Sequence, residues 1–156
     1  MQACGLTAAR TTLRIGRAAE HLSPRWADHA ADCATHSYGQ VRQFLTEHPC
    51  DAVYRAVFEV PAGPGASVLV AVAWVDMPDP AQATALRQLM DRSGTGNITE
   101  LSRERNPYRA VRFDGRFYES NQDDTTVVNA QAQPVGATAV AAAELAEEAV
   151  TAAVSS

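Results

Sequence analysis

SVLVAVAWVDM, residues 67–77, is the stretch that decides the fold of this 156-residue chain. It consists largely of alanine and β-branched valine, and it lies between the turn-prone sequences PAGPG (61–65) and PDP (78–80). A short apolar run between turn signals is typical of a strand that is buried on both faces. It is too short to cross a bilayer as a helix, which needs about 20 apolar residues. We therefore expect Ser67–Met77 to form the central strand of a sheet.

The segments just before this strand are predicted as a helix and a second strand. Apolar residues over Tyr38–His48 recur with helical spacing, which predicts a helix that presents one stripe to the core: Val41, Phe44 and Leu45. Side chains over Val53–Val60 alternate in character, which predicts a strand. The prolines and glycines of 61–66 should then turn that strand back into Ser67–Met77 as an antiparallel hairpin.

Downstream, Asp79-Pro80 combines a capping residue with proline at the first helical position, which predicts a helix to about Arg92. Its buried face should consist of Ala83, Leu86, Leu89 and Met90. The sequence Ser93-Gly94-Thr95-Gly96 is expected to end it, because glycine commonly follows a helix C-terminus.

Further strands and a final helix complete the prediction. A short strand is expected over Asn97–Leu101. The Asp114-Gly115 pair lies between two β-prone runs and predicts a tight hairpin. A strand over Thr125–Ala132 should follow a turn at 121–124, and an alanine-rich helix should begin near Thr138 and dock on the core.

The N-terminal part gives weaker patterns. A marginal helix is predicted over 6–22, within a segment 1–23 that we separate from a single domain over 24–156. Ser23-Pro24 predicts another helix that continues to about Thr35. The order over 24–156 is then α-α-β-β-α-β-β-β-α, which is an α+β fold with one antiparallel sheet of about five strands covered by helices.

From Tyr38 onward this element order resembles that of profilin-like proteins, including small scaffold modules of the roadblock type. The resemblance lies in element order alone and rests on no sequence motif. It implies a layout of the fold and carries no function.

Composition excludes some classes of function. All 13 basic residues are arginines, which is typical of a GC-rich bacterial coding sequence, and the formal net charge is −5. A nucleic-acid-binding protein usually has a basic excess, so nucleic acid is not an expected partner. Neither a signal peptide nor a membrane span is recognisable, and a soluble cytoplasmic protein is therefore the default expectation.

The densest group of reactive residues is His29, Cys33 and His36, followed by His48 and Cys50. On a helix, the first three would share one face, and imidazole and thiolate are suitable zinc ligands. The second hypothesis is a Cys33–Cys50 disulfide, which would imply an extracytoplasmic domain of a longer anchored protein. The third is a cysteine nucleophile with a histidine base. The sequence leaves all three open.

No motif specifies a reaction, a catalytic residue or a cofactor. We therefore expect a non-catalytic α+β module that binds a small ligand or a protein partner, the latter including a second copy in a homodimer. Val127, Val128 and the terminal helix are the expected interface. The alternative is a metal- or thiol-dependent enzyme that uses His29, Cys33 and His36.

Overall fold

The computed structural model describes residues 13–15, 20–105, 107–136 and 140–155. Its strands are β1 (Leu13–Ile15), β2 (Glu20–Leu22), β3 (Trp26–Ala30), β4 (Ser37–Tyr38), β5 (Ala52–Pro61), β6 (Ala66–Asp76), β7 (Gly96–Ile98), β8 (Phe117–Asp123) and β9 (Thr126–Gly136). Its α-helices are α1 (Gly39–Glu47), α2 (Pro80–Met90) and α3 (Val140–Val154), and two short 3-10 helices cover Ala34–His36 and Leu101–Glu104. The predicted α+β class is confirmed.

The main sheet has five antiparallel strands in the order β3-β5-β6-β9-β8. Strand β6 pairs with β5 from Ala52↔Asp76 to Pro61↔Ser67, and with β9 along its other edge. Every residue of β6 from Val68 to Val75 is buried. The prediction that this stretch is the central strand is confirmed, and so is its hairpin with β5.

Helix α3 covers one face of the sheet. It packs against the β6 side chains Val68, Val70, Val72 and Trp74 through its own small residues Ala142, Ala146, Ala149 and Ala153. Alanine allows a close approach of helix and sheet, because it adds little bulk between their backbones. The glutamates of α3 are exposed. The predicted docking of the terminal helix is confirmed.

Helices α1 and α2 cover part of the opposite face, over Val53, Val75 and Val127. The Asp79 carboxylate accepts a hydrogen bond from the Gln82 backbone N–H at 2.8 Å, which caps the first turn of α2. The buried residues of α2 are the four that the sequence predicts, Ala83, Leu86, Leu89 and Met90. Among the described residues, no helix has the length and apolar character that a membrane crossing requires.

The helix predicted from Pro24 to Thr35 is wrong. Residues Trp26–Ala30 form β3, an edge strand that pairs with β5 from Trp26↔Val57 to Ala30↔Val53. Their burial alternates with a period of two, because one face of the strand packs on the protein and the other meets solvent. Proline before an edge strand is well tolerated, since no ladder hydrogen bond is lost there.

The helix predicted over 6–22 is not found where the structure describes that segment. Strands β1 and β2 pair there as an antiparallel ribbon, with Leu13 opposite Leu22. Residues 6–12 and 16–19 lie outside the described residues. The separation of 1–23 from the rest of the chain stays a prediction.

The hairpin predicted at Asp114-Gly115 is also wrong, because residues 108–113 do not form a strand. The Asp114 carboxylate accepts a hydrogen bond from the Arg116 backbone N–H at 2.9 Å, and only Gly115 of the pair has positive φ. A type I′ hairpin turn needs positive φ at both positions. Strand β8 pairs instead with β9, through the turn at Asp124.

The apolar side chains of this loop have a different role. Tyr108, Val111 and Phe113 pack against a third group of buried residues, Val57, Leu69 and Leu101. The loop thus covers the end of the sheet face that α1 and α2 leave open. A gap remains between the loop and α2.

Candidate functional site

The cysteines form a disulfide between Cys33 and Cys50, with 6.1 Å between their Cα atoms. It links the segment after β3 to the residues just before β5. Of the three hypotheses for these residues, the structure contains the disulfide. Neither sulfur is then a free thiolate, the form in which cysteine acts as a nucleophile or binds a metal.

The predicted metal cluster depends on a helix that is absent. His29 lies on β3 and stacks on Tyr54 with 5.5 Å between ring centroids, whereas His36 ends a 3-10 helix. Within the described part of the chain, no group of three or more His, Cys, Asp or Glu side chains could hold a metal ion. The structure therefore does not place His29, Cys33 and His36 together on one helical face.

Arg55 is the most prominent buried charge. Its side chain is 2% exposed and donates two hydrogen bonds to Asp28, with Nε–Oδ1 and Nη2–Oδ2 distances of 3.2 and 2.9 Å. It also donates to Glu104 Oε2 at 2.8 Å and to the Thr99 carbonyl oxygen at 3.1 Å. A planar guanidinium suits such a fork of acceptors. Arg55 thereby joins β3 and β5 to the segment 99–104.

The pKa values in this network follow the contacts. The hydrogen bond from Arg55 is the main cause that lowers the pKa of the Glu104 carboxyl below its usual value. Burial lowers the pKa of Arg55, but the hydrogen bonds and charges of Glu104 and Asp28 outweigh it and the net shift is upward. Both shifts favour the charged forms of Arg55 and Glu104 at neutral pH, and the network acts as a structural tie.

Next to Arg55, two buried acceptors have no hydrogen-bond partner among the described residues, Glu100 Oε2 and Ser102 Oγ. The other oxygen of Glu100 accepts from Arg103 Nε at 3.2 Å. Arg55, Glu100 and Gln131 also line a small pocket of about 10 Å³. That volume is close to the space that one water molecule needs.

A larger cleft of about 420 Å³ opens between the end of α2, strand β7 and the loop 113–115. Its size lies within the range of ordinary small-ligand sites. Its lining combines aromatic, amide and charged side chains with four glycines; the residues are Tyr38, Gly39, Met90, Asp91, Arg92, Ser93, Gly94, Gly96, Asn97, Phe113, Asp114, Gly115, Tyr118 and Gln131. We call this the α2–β7 cleft.

Strand β7 reaches this position because glycine allows two backbones to meet. Gly96 has φ of 91°, and a Cβ atom on it would clash with the carbonyl oxygen of Tyr38. Asn97 then lies buried beside β9, where its Oδ1 accepts from Asn129 Nδ2 at 2.6 Å and from the Ile98 backbone N–H at 2.7 Å. This amide pair fixes one side of the floor of the cleft.

One wall of the cleft is held by Asp91, at the end of α2. Its Oδ1 accepts from the Tyr118 hydroxyl at 2.9 Å and from the Ser120 hydroxyl at 2.7 Å. Burial, together with the hydrogen bond to Asp91, raises the pKa of Tyr118, which keeps the phenol protonated at neutral pH. Tyr118 therefore offers a fixed ring to the cleft, while its hydroxyl is already engaged.

Gln131 forms the other part of the floor. The residue is largely buried, with 9% of its surface exposed, and it lines both the α2–β7 cleft and the small pocket beside Arg55. No hydrogen bond joins its amide to another described residue, and its side-chain atoms are not among the fully enclosed ones. An accessible amide in the lining of a cleft is a group that a ligand could bind.

Asn97, Asn129 and Gln131 were not predicted from the sequence as site residues. A signal was present in the sequence. Asn129 and Gln131 alternate along β9 on the same side as Val127, so two amides occupy positions that face the interior of the protein. The prediction that Ser93-Gly94-Thr95-Gly96 ends the helix is confirmed, since α2 ends at Met90 and Thr95 Oγ1 donates to Leu89 O at 2.7 Å. That same turn lines the cleft.

Two of the residues predicted at an interface, Val127 and Val128, do not lie on the surface, whereas the part of that prediction that concerns the terminal helix stays a prediction. Both residues are buried within the chain, with 0% and 6% exposure. Strand β9 has a neighbour on each side, so it presents no free edge to a partner. Along this sheet the edge strands are β3 and β8.

No protein-family model, no curated protein and no solved structure matches this chain.

Proposed function

We propose that this chain is a non-catalytic binding module whose α2–β7 cleft holds a small, uncharged ligand. The observation that carries the proposal is the cleft of about 420 Å³, whose lining includes the Gln131 amide, a group that makes no hydrogen bond to another described residue. A ligand that pairs with this amide would take the place of solvent at that position.

The contacts of the residues in the cleft wall support a binding function better than a catalytic one. Asp91 accepts hydrogen bonds from Tyr118 and Ser120, and it lies 3.7 Å from Arg87. Its oxygens are therefore committed to holding the wall. The two cysteines that a thiol mechanism would use are joined to each other.

The disulfide supports a further part of the proposal, that the protein works in an oxidising compartment outside the cytoplasm. Disulfides persist in such compartments and are rare where thiol reductants are abundant. The mass of protein isolated with and without reductant tests this. We expect a difference of about two daltons for one S–S bond, and identical masses would contradict the assignment.

The binding function is tested by filling the cleft. Ser93 is exposed and lines the cleft, whereas Gln43 is exposed on α1 and does not. The variants are therefore Ser93→Trp and the matched control Gln43→Trp. Melting temperature is measured with three probes: N,N′-diacetylchitobiose, adenosine and N-acetylphenylalaninamide.

We expect at least one probe to raise the melting temperature of the wild-type protein and of Gln43→Trp, because a ligand that binds only the folded state stabilises it. Ser93→Trp should abolish that rise. If no probe stabilises the wild type, or if Ser93→Trp responds like the control, the cleft is not the binding site.

A further inference from the structure

The turn at Asp114 and Gly115 places a reactive pair of residues on the surface. Asp114 is the only aspartate or asparagine in the sequence that precedes a glycine. Both residues are exposed, and they lie in the loop between the 3-10 helix Leu101–Glu104 and strand β8. Glycine has no Cβ atom, so the carboxyl group of the residue before it can approach its backbone nitrogen closely.

The carboxyl group of Asp114 is held beside the backbone that follows it. Its Oδ1 accepts a hydrogen bond from the Arg116 N–H at 2.9 Å. Such a contact closes a ring of the Asx-turn type, and the Gly115 nitrogen is a member of that ring. A bond between this nitrogen and the Asp114 side-chain carbon Cγ would close the smaller ring of a succinimide.

The peptide group of Gly115 is little restrained by the fold. A Cβ atom on Gly115 would meet nothing within 4 Å. Within the described part of the chain, no residue accepts a hydrogen bond from the Gly115 N–H. The turn is tied to the sheet one residue earlier, where the Asp114 N–H donates to Gln133 Oε1 at 3.0 Å. The Gly115 nitrogen is therefore open to react.

We propose that Asp114 is a site of spontaneous isomerisation to isoaspartate. The Gly115 nitrogen attacks Asp114 Cγ, the new C–N bond closes a succinimide, and the nitrogen's proton leaves with the carboxyl OH as water. A solvent water then attacks the main-chain carbonyl carbon of Asp114 and breaks its bond to the Gly115 nitrogen. The chain now runs through Cγ. One water is lost and one is gained, so neither mass nor oxidation state changes.

The product changes the rim of the α2–β7 cleft. Asp114 and Gly115 both line this cleft, next to Phe113. In isoaspartate the side-chain methylene becomes part of the backbone, and the main-chain carboxylate becomes the side group. The chain between Phe113 and Gly115 is then one atom longer, so the rim changes shape while its charge is kept.

Peptide mapping of the full chain tests the site. The folded protein is kept for several weeks at pH 7, well below its melting temperature, and samples are digested with trypsin. Cleavage after Arg112 and Arg116 releases the tetrapeptide 113–116. Its aspartyl and isoaspartyl forms have the same mass and are separated by chromatography against synthetic standards. We expect the isoaspartyl peptide to increase as the aspartyl peptide is lost.

Asp51 is the internal control, because it is exposed but precedes alanine. The peptide that contains it should stay unchanged in the same digests. Isoaspartate that forms at Asp51 as fast as at Asp114 would overturn the proposal, since the turn with glycine is then not the cause.

The variant Asp114→Asn provides a second measurement. Asparagine can form the same turn, and ammonia leaves Cγ more readily than water does, so isoaspartate should accumulate at position 114 faster than in the wild type. A synthetic peptide of residues 108–120 gives the rate of the sequence without the fold. If isoaspartate is absent at position 114 in both folded proteins, the proposal is wrong, and conversion of the peptide would then show that the fold blocks ring closure.

Discussion

The ion cluster around Arg55 can be broken in two ways. Arg55→Met removes its positive charge, and the double substitution Asp28→Asn with Glu104→Gln removes its negative charges. We expect the double substitution to destabilise the fold more than the loss of the arginine. The reason is an asymmetry in burial: the Arg55 side chain is 2% exposed, whereas those of Asp28 and Glu104 are 30% and 39% exposed.

The magnitudes follow from what each variant leaves behind. Without Arg55, the two carboxylates regain water, and methionine fills part of the volume, so the cost should be roughly 1–2 kcal/mol. Without the carboxylates, a guanidinium stays buried with the Thr99 carbonyl and two neutral amides as its partners. Removing the counter-charge of a buried ion costs about 3–5 kcal/mol.

Urea unfolding at pH 7 measures both free energies of unfolding. Arg42→Met is the control, because Arg42 is exposed on α1 and a surface substitution usually changes stability by less than about 0.5 kcal/mol. If Arg55→Met costs as much as the double substitution or more, the guanidinium is not the group whose desolvation dominates the cluster.

Three further predictions concern single contacts. Replacing Cys33 and Cys50 by serine should lower the free energy of unfolding by about 3 kcal/mol in the chain-entropy model, since the bridge spans 17 positions; an unchanged urea midpoint would contradict it. Asp79→Ala should cost about 1 kcal/mol through loss of the N-cap of α2, and a cost near zero in the same assay would show that the cap is not stabilising. The pKa of Glu104 in the folded state is lowered. The stabilisation that its carboxylate gives the fold is therefore complete above the unfolded pKa of about 4.3, and it is lost as the pH falls through the folded pKa. The stability gap between wild type and Glu104→Gln, measured by urea unfolding, should therefore narrow below about pH 4, and a gap that stays constant down to pH 3 would refute the ionic origin.

The elements that local chemistry specifies were predictable from the sequence. Helix α2 carries its own start signal in Asp79-Pro80, and its buried residues recur at helical spacing. Strand β6 is apolar on both faces, which only a central position satisfies. Helix α3 was predictable because its alanine-rich pattern favours a helix that docks on a sheet face.

The errors arose where the local pattern was ambiguous. Trp26–Ala30 contains alanines and a preceding proline that suit both a helix start and an edge strand, and pairing with β5 decided between them. The Asp114-Gly115 pair is a strong hairpin signal, but the apolar residues before it pack on the sheet as a loop. In both cases contacts distant in sequence outweighed local preference.

The site itself could not be assembled from the sequence. Asn97, Tyr118 and Gln131 come from three different strands: Tyr118 and Gln131 are paired across β8 and β9, and Asn97 reaches them on β7, whose Gly96 packs closely on Tyr38. Arg55 likewise had no partner within 25 residues on the chain, since Asp28 and Glu104 are 27 and 49 positions away. Such clusters depend on tertiary packing, which a single sequence does not display.

The most direct measurement of the central claim is the side-chain NH₂ resonance of Gln131 in a ¹H–¹⁵N correlation spectrum during titration with a probe that stabilises the wild-type protein. We predict that this resonance shifts with saturation, together with the backbone amides of Gly94 and Gly115, which line the same cleft. The exposed side-chain amide of Gln43 on α1 should stay in place. If Gln131 does not shift while the probe binds, or shifts no more than Gln43, the α2–β7 cleft is not the ligand site.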